Sequence, residues 1–214
     1  MQAWLTWLEQ SEIVTPLFES FLLVCVALLV ERFVPWPEKY HPLSLFRLVC
    51  INLAAKVNPI KKPRSPSQNK LAGLLAIVVL LVPCLTIVGI LISFAYYSQF
   101  FEMLLLLVAI QIQPVRRHFR LTEKALGEEK KLLARHHLGL IVLRDTQRLS
   151  PLGIAKAAVE SMLLRYNYQV FSSIFWFIVT GGLGALAVRL IFEMSQCWNM
   201  KLPQNHNFGK FCSY

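Results

Sequence analysis

Between residues 71 and 115 the chain carries no Lys or Arg, and this restricts what it can fold into more than any other feature. As one helix the stretch would be about 65 Å long at ~1.5 Å per residue, roughly twice the ~30 Å hydrocarbon core of a bilayer. It therefore reads as two membrane spans joined by a tight turn. The patch Tyr96-Tyr97-Ser98-Gln99-Phe100 supplies that turn, because tyrosines settle at the membrane–water interface. Pro83 is expected to kink the first arm rather than end it. Glu102, Gln111 and Gln113 are the polar residues of the second arm. An acid at membrane depth is a candidate functional group, and Glu102 also lies close enough to the turn to be merely interfacial.

The rest of the chain arranges itself around this hairpin. The chain of 214 residues is 56% hydrophobic and 16% charged, further toward apolar than soluble domains run, which points to a membrane protein. Residues 1–34 form a first segment, with Trp4 and Trp7 as an interfacial pair and an apolar run from Pro16 to Val34, interrupted by Glu19 and closed by Glu31-Arg32. Residues 35–70 are a Pro-rich basic loop containing Lys61-Lys62-Pro63-Arg64, with a short amphipathic helix over 43–57. Residues 116–169 are a second basic segment, amphipathic over 121–142. Residues 170–195 read as the last span and 196–214 as a polar, unpatterned tail.

Both basic blocks flank the hairpin from one side, which the positive-inside rule makes cytoplasmic. The expected architecture is all-α: a polytopic integral membrane protein of about four transmembrane helices, with amphipathic cytoplasmic helices and the N-terminus outside, in a bacterial inner membrane. In the last span Gly181-Gly182-Leu183-Gly184 permits close helix packing or a local break in the membrane, and offers a face for an oligomer contact. Arg189 and Glu193 stand at i, i+4, where they either pair or leave Arg189 to snorkel toward the far interface.

Several function classes are excluded or weakened. The net charge of +10 beside long apolar runs marks cytoplasmic loops better than a nucleic-acid surface, so no nucleic-acid partner is expected. The first basic residue is Arg32, which leaves no positive leader region of the secretory kind. The five Cys show neither metal spacing nor a disulfide framework. His136-His137 are adjacent, on different helix faces, and make a poor metal pair. Phosphate-binding glycine loops and the serine-hydrolase elbow are missing.

The stretch richest in chemistry is Arg144-Asp145-Thr146-Gln147-Arg148-Leu149-Ser150-Pro151, which contains the only Asp of the chain. Ser150 reads as an N-cap and Pro151 as the first helical residue of a helix over 152 to about 168. Ile154, Ala157, Ala158, Ser161 and Met162 share one face of it. Arg144 suits a phosphate and the carboxylates of Asp145 and Glu160 suit Mg²⁺, although Arg144-Asp145 reads equally well as an ion pair at a helix start.

These residues resemble the CobD/CbiB family of cobalamin-biosynthesis membrane proteins, whose hallmark is a "GRDT…L" turn followed by "AAVES". Here the match is Leu143-Arg144-Asp145-Thr146…Leu149, then Ala157-Ala158-Val159-Glu160-Ser161. Glu31-Arg32, His41-Pro42, Ile174-Phe175-Trp176 and the 181–189 run extend the likeness over most of residues 17–195. The resemblance implies ATP-dependent ligation of an aminopropanol phosphate to adenosylcobyric acid, an adenosylcobinamide-phosphate synthase-like activity. It implies Asp145 and Glu160 as catalytic residues on Mg-ATP, and Arg144, Thr146 and His41 as substrate or phosphate ligands. Where the family continues with an acidic series and "NTLDS", this chain has Met162-Leu163-Leu164-Arg165, Tyr168 and Phe192-Glu193-Met194-Ser195-Gln196. Those departures are similar to the AmpE branch, so the alternative is a non-enzymatic membrane regulator of β-lactamase induction. A third reading is an assembly subunit that packs through its glycine run. The unpatterned tail reads as that of a C-terminally shortened member.

Overall fold

The computed structural model describes residues 14–33, 41–58, 66–142, 145–198 and Phe208, with side chains from residue 18 onward and that of Pro66 left aside. Trp4, Trp7, the Lys61-Lys62-Pro63-Arg64 run, Arg144 and most of the tail lie outside the described residues. The regular structure among the described residues is all helical, without strands: α1 (Val14–Phe33), α2 (Pro42–Val57), α3 (Pro66–Ser93), α4 (Ser98–Ala109), α5 (Gln113–Gly127), α6 (Lys131–Gly139), α7 (Pro151–Tyr166), a π-helical turn (Asn167–Phe171), α8 (Ser172–Thr180) and α9 (Gly182–Cys197).

The hairpin is present, and its turn falls at residues 94–97, so it shares Tyr96 and Tyr97 with the expected turn, while Ser98, Gln99 and Phe100 already begin α4. Two segments, Ser67–Ser93 and Ser98–Gly127, are long and apolar enough to cross a membrane. The first is almost bare: only 6% of its most apolar window is covered by the rest of the chain. Pro83 lies inside α3 without ending it. The second segment is not one uninterrupted rod. It breaks at residues 110–112, where Pro114 in the first turn of α5 has no N–H to give the carbonyl of Ile110 and its ring crowds that carbonyl. Glu31, buried at the end of α1, receives the Ile112 N–H at 3.4 Å and pairs with Arg116 at 3.6 Å. The Gln113 side chain also donates to the Glu31 carbonyl. The break is thereby tied to α1, and its orphan amide is satisfied.

The amphipathic pattern over 121–142 is two helices rather than one. The turn between α5 and α6 places Glu129 in the left-handed region at φ 56°, with Lys130 N–H to Ala125 O at 2.9 Å and Glu129 N–H to Leu126 O at 3.1 Å. That pair of bonds is a Schellman ending, here with Glu where Gly is usual. α7 begins as expected, the Ser150 Oγ accepting the Gly153 N–H at 3.1 Å ahead of Pro151. Its Ile154, Ala157 and Ala158 face Ala125 of α5 and Ala134 and Leu138 of α6, giving these three helices a small core of their own.

The continuous last span expected over 170–195 is replaced by the π-turn, the short α8 and α9, the last two separated by Gly181 at φ 77°. Only glycine takes that conformation without strain. The following Gly182 is buried, and a Cβ there would lie 3.0 Å from Glu102 Cα and 3.2 Å from its carbonyl oxygen. The glycine run thus lets α9 sit against α4. α9 is the hub of the fold, packing on α8, α4, α3 and α2 in turn. The tail, read as unpatterned, contributes Phe208, which is buried edge-on against Trp198 at 5.0 Å between ring centroids, beside Cys50 and Ala76.

Gly182→Ala is expected to cost about 1–3 kcal/mol, since backbone atoms cannot yield to the new methyl. Gly89→Ala meets only Leu183 Cδ1 at an ordinary 3.5 Å and is expected to be neutral or better. Thermal unfolding of the two variants in detergent checks the contrast.

Candidate functional site

One turn of α9 separates Arg189 from Glu193, so their side chains meet on the same face: Nη2 to Oε1 at 2.9 Å. The second carboxylate oxygen receives Arg47 of α2, from Nη2 at 2.8 Å and Nε at 3.3 Å. Arg189 and Glu193 are 4% and 2% exposed, so this is a buried pair and not an arginine snorkelling to an interface. Arg189 Nε and Nη1 are buried without a partner, and its guanidinium lies 5.6 Å from the Phe192 ring centroid.

These groups line a cavity of about 420 Å³ between α2, the 110–112 break, α5, the residues after α6, α7, the π-turn and α9. Arg165 enters from α7, its Nη2 donating to the Ile141 carbonyl at 2.7 Å. Gln111 enters from the break and Gln169 from the π-turn. His41 caps α2, its Nδ1 accepting the Leu43 N–H at 3.3 Å, and also lines the cavity. Burial first, and Arg189 second, hold the His41 imidazole down at about 4 against a smaller opposing pull from Glu193. Three arginines around one carboxylate leave the cavity cationic, and guanidinium forks with unspent N–H groups suit a phosphate or carboxylate.

Of the residues that the motif implied as ligands, the structure brings His41 to this cavity and leaves Asp145, Thr146 and Glu160 outside its described lining, while Arg144 lies outside the described residues. Asp145 is exposed and accepts the Gln147 N–H at 2.9 Å, an Asx turn. Glu160 is exposed on α7. Thr146 is buried and donates to the Arg135 carbonyl at 3.1 Å, which fixes the loop rather than a ligand. Among the described residues, no three His, Cys, Asp or Glu side chains gather as a metal-binding group. Glu193, the one carboxylate among the described residues that line the cavity, is already held by two arginines, so this lining does not fit Mg²⁺. Arg47, Gln111, Arg165 and Gln169 were not marked as ligands by the sequence reading. The signal that leads to them is the i, i+4 pair in an apolar run, around which they converge.

Glu193→Ala leaves Arg189 buried without a counterion and is expected to destabilise the fold by about 3 kcal/mol or more. Arg189→Met combined with Glu193→Leu is expected to regain most of that loss, which a double-mutant cycle of unfolding midpoints reads directly. The low His41 value also fixes a pH dependence. In the unfolded chain the imidazole takes its proton near 6.5, and in the folded chain only near 4. Stability is therefore complete above the upper value and drains as pH falls toward the lower one. His41→Asn, which keeps a cap, is expected to flatten the loss between pH 7 and 5 in acid-unfolding experiments.

A CobD/Cbib protein family model matches residues 24–213. The cobalamin biosynthesis protein CobD of Chromobacterium violaceum is 32% identical over 195 residues, which is 89% of this chain and 61% of that protein. The protein of the same name from Stutzerimonas stutzeri is 29% identical over 88% of this chain and 61% of its own length. A probable cobalamin biosynthesis protein CobD from Thermococcus kodakarensis is 28% identical, covering 82% and 57%. The chain thus spans about three fifths of the length of these curated relatives. No solved structure matches it. On the family match and these relatives, the chain belongs to the CobD/Cbib family.

Proposed function

We propose that this chain is a multi-pass protein of the bacterial inner membrane that acts in cobalamin biosynthesis, in the ATP-dependent ligation of an aminopropanol phosphate to adenosylcobyric acid. The bare apolar surface of α3 supports the membrane assignment, since hydrocarbon accepts such a surface and water does not. α1 and the α8–α9 pair would complete about four crossings beside the hairpin. The names of the relatives favour the cobalamin reading over an AmpE-like regulator.

The observation that carries the proposal is the arginine-lined cavity, in which Arg189 keeps two N–H groups unused. Phosphate is the group common to the amino-alcohol substrate and to ATP. Arg47, Arg165 and Arg189 would hold phosphate oxygens, and the protein's work in this part of the reaction is to fix the phosphate end and present the other end of the molecule. Bound ATP supplies the activation of the acid. Asp145 and Glu160 remain the carboxylates that the family motif assigns to Mg-ATP, and on this geometry they would act from outside the cavity lining.

The test is growth of a strain that lacks its own CobD/CbiB-family protein, fed cobyric acid and supplied with this chain. Growth with the unaltered chain, and loss of at least tenfold in cobalamin yield with Arg165→Met, is the expected result. No growth with the chain demonstrably in the membrane, or full yield from Arg165→Met, overturns the assignment. Asp145→Asn in the same strain measures whether the exposed carboxylate takes part.

A further inference from the structure

The cavity holds a second set of unsatisfied groups, and they are neutral. Gln169 is 2% exposed, and its Oε1 is buried without a partner. It is carried by the π-helical turn between α7 and α8, where the wider winding turns a residue inward that a regular helix would place elsewhere. Gln111 Nε2, on the break between α4 and α5, is likewise buried and unpartnered. Both interruptions of helix therefore aim an amide into the same space as Arg189. An unpaired buried carbonyl oxygen costs about 1–3 kcal/mol, which asks for a donor from outside the chain.

The charges around that oxygen select the donor. Arg189 and Glu193 face the cavity from α9 together with Cys197, Arg165 from α7 and His118 from α5. From α2 come Arg47 and His41. An ammonium group entering here meets three guanidinium groups and one carboxylate that two of them already occupy. An uncharged amine meets no such opposition, and its N–H fits the neutral oxygen of an amide.

We propose that Gln169 is the specificity-determining residue of the cavity, accepting an N–H from the amine of a short amino-alcohol phosphate bound in its uncharged form while Arg189 holds the phosphate. This rests on the phosphate-binding reading above and adds a reason for an amide at position 169. A carboxylate there would favour the ammonium form, whose nitrogen has no lone pair to give to an acyl carbon. The amide oxygen orients the amine and leaves that lone pair unprotonated. The proton given up on binding passes to solvent.

The test is calorimetric binding to the full chain in lipid nanodiscs, with O-phosphoethanolamine and ethyl phosphate as probes between pH 7 and 9. The two share the phosphate and differ in the amine, so the ratio of their affinities removes titration of the protein and of the phosphate. In the unaltered chain the ratio favouring the amine is expected to rise about tenfold per pH unit, following the free-base fraction. Gln169→Leu is expected to lower the ratio about tenfold while ethyl phosphate binds as before, which also shows that the variant folds. Gln169→Glu is expected to flatten the pH slope, and it decides the matter should the leucine variant not fold. A flat slope in the unaltered chain, an unchanged ratio in Gln169→Leu, or an unchanged slope in Gln169→Glu overturns the role of Gln169 and leaves the phosphate site standing. If neither probe binds, the phosphate site falls and this inference falls with it.

Discussion

Glu193 sits between two guanidinium groups, one from its own helix and one from α2, in a place water scarcely reaches. Desolvating the buried Arg189–Glu193 pair costs several kcal/mol per ion, while Arg47 reaches it from a half-exposed position, and apolar side chains of the same size would replace the buried pair with less penalty. A cluster of this kind is weak as a source of stability and strong as a constraint. It fixes α2 against α9, forces both helices to present polar atoms inward, and holds two arginines in set orientations. With Arg165 added, the positive charge exceeds what the carboxylate neutralises, so the same arrangement that orders the fold also prepares it for an anion.

The helices that surround this centre are interrupted, and two of the interruptions bring it a polar group, Gln111 at the 110–112 break and Gln169 on the π-turn. Pro114 breaks the second apolar segment, the π-turn widens the exit from α7, and Gly181 separates α8 from α9. Interruptions within an apolar chain are tolerable only when the released backbone groups find partners. At the first of them Glu31 supplies that partner, taking the Ile112 amide and holding Arg116, which in turn donates to the Tyr166 hydroxyl at 3.1 Å. α1, the break and α7 are thus linked by a line of polar contacts.

The hairpin, the capped start of α7 and the i, i+4 pair were legible in the sequence because each depends on residues close together in the chain. A run without cations, a Ser-Pro pair and a four-residue spacing carry their physics locally. The splitting of 121–142 was hidden because the Schellman turn uses Glu129 where Gly would have announced it. The glycine run at 181–184 left two readings open, close packing or a local break, and both occur: Gly181 takes φ 77° between α8 and α9, and Gly182 lies against Glu102. The motif residues Asp145 and Glu160 stood out by composition, yet the structure exposes both and draws the cavity from Arg47, Arg165 and Gln169. Arg165 and Gln169 stand four residues apart where α7 runs into the π-turn, but Arg47 lies more than a hundred residues earlier, so only the packing of α9 reveals that they converge.

Arg47 and Cys50 show how far apart in the chain the two sides of the contact between α2 and the α9 end are made. Arg47 finds Glu193 146 residues later, and the Cys50 carbonyl receives the Trp198 indole 148 residues later. A ribosome adding roughly 5–20 residues per second needs on the order of 10 s to cover that interval. For all of that time α2 has left the exit tunnel with a cation and a backbone acceptor whose final partners do not yet exist. α2 is therefore among the first helices synthesised and among the last to gain its final contacts, which arrive only when α9 is made.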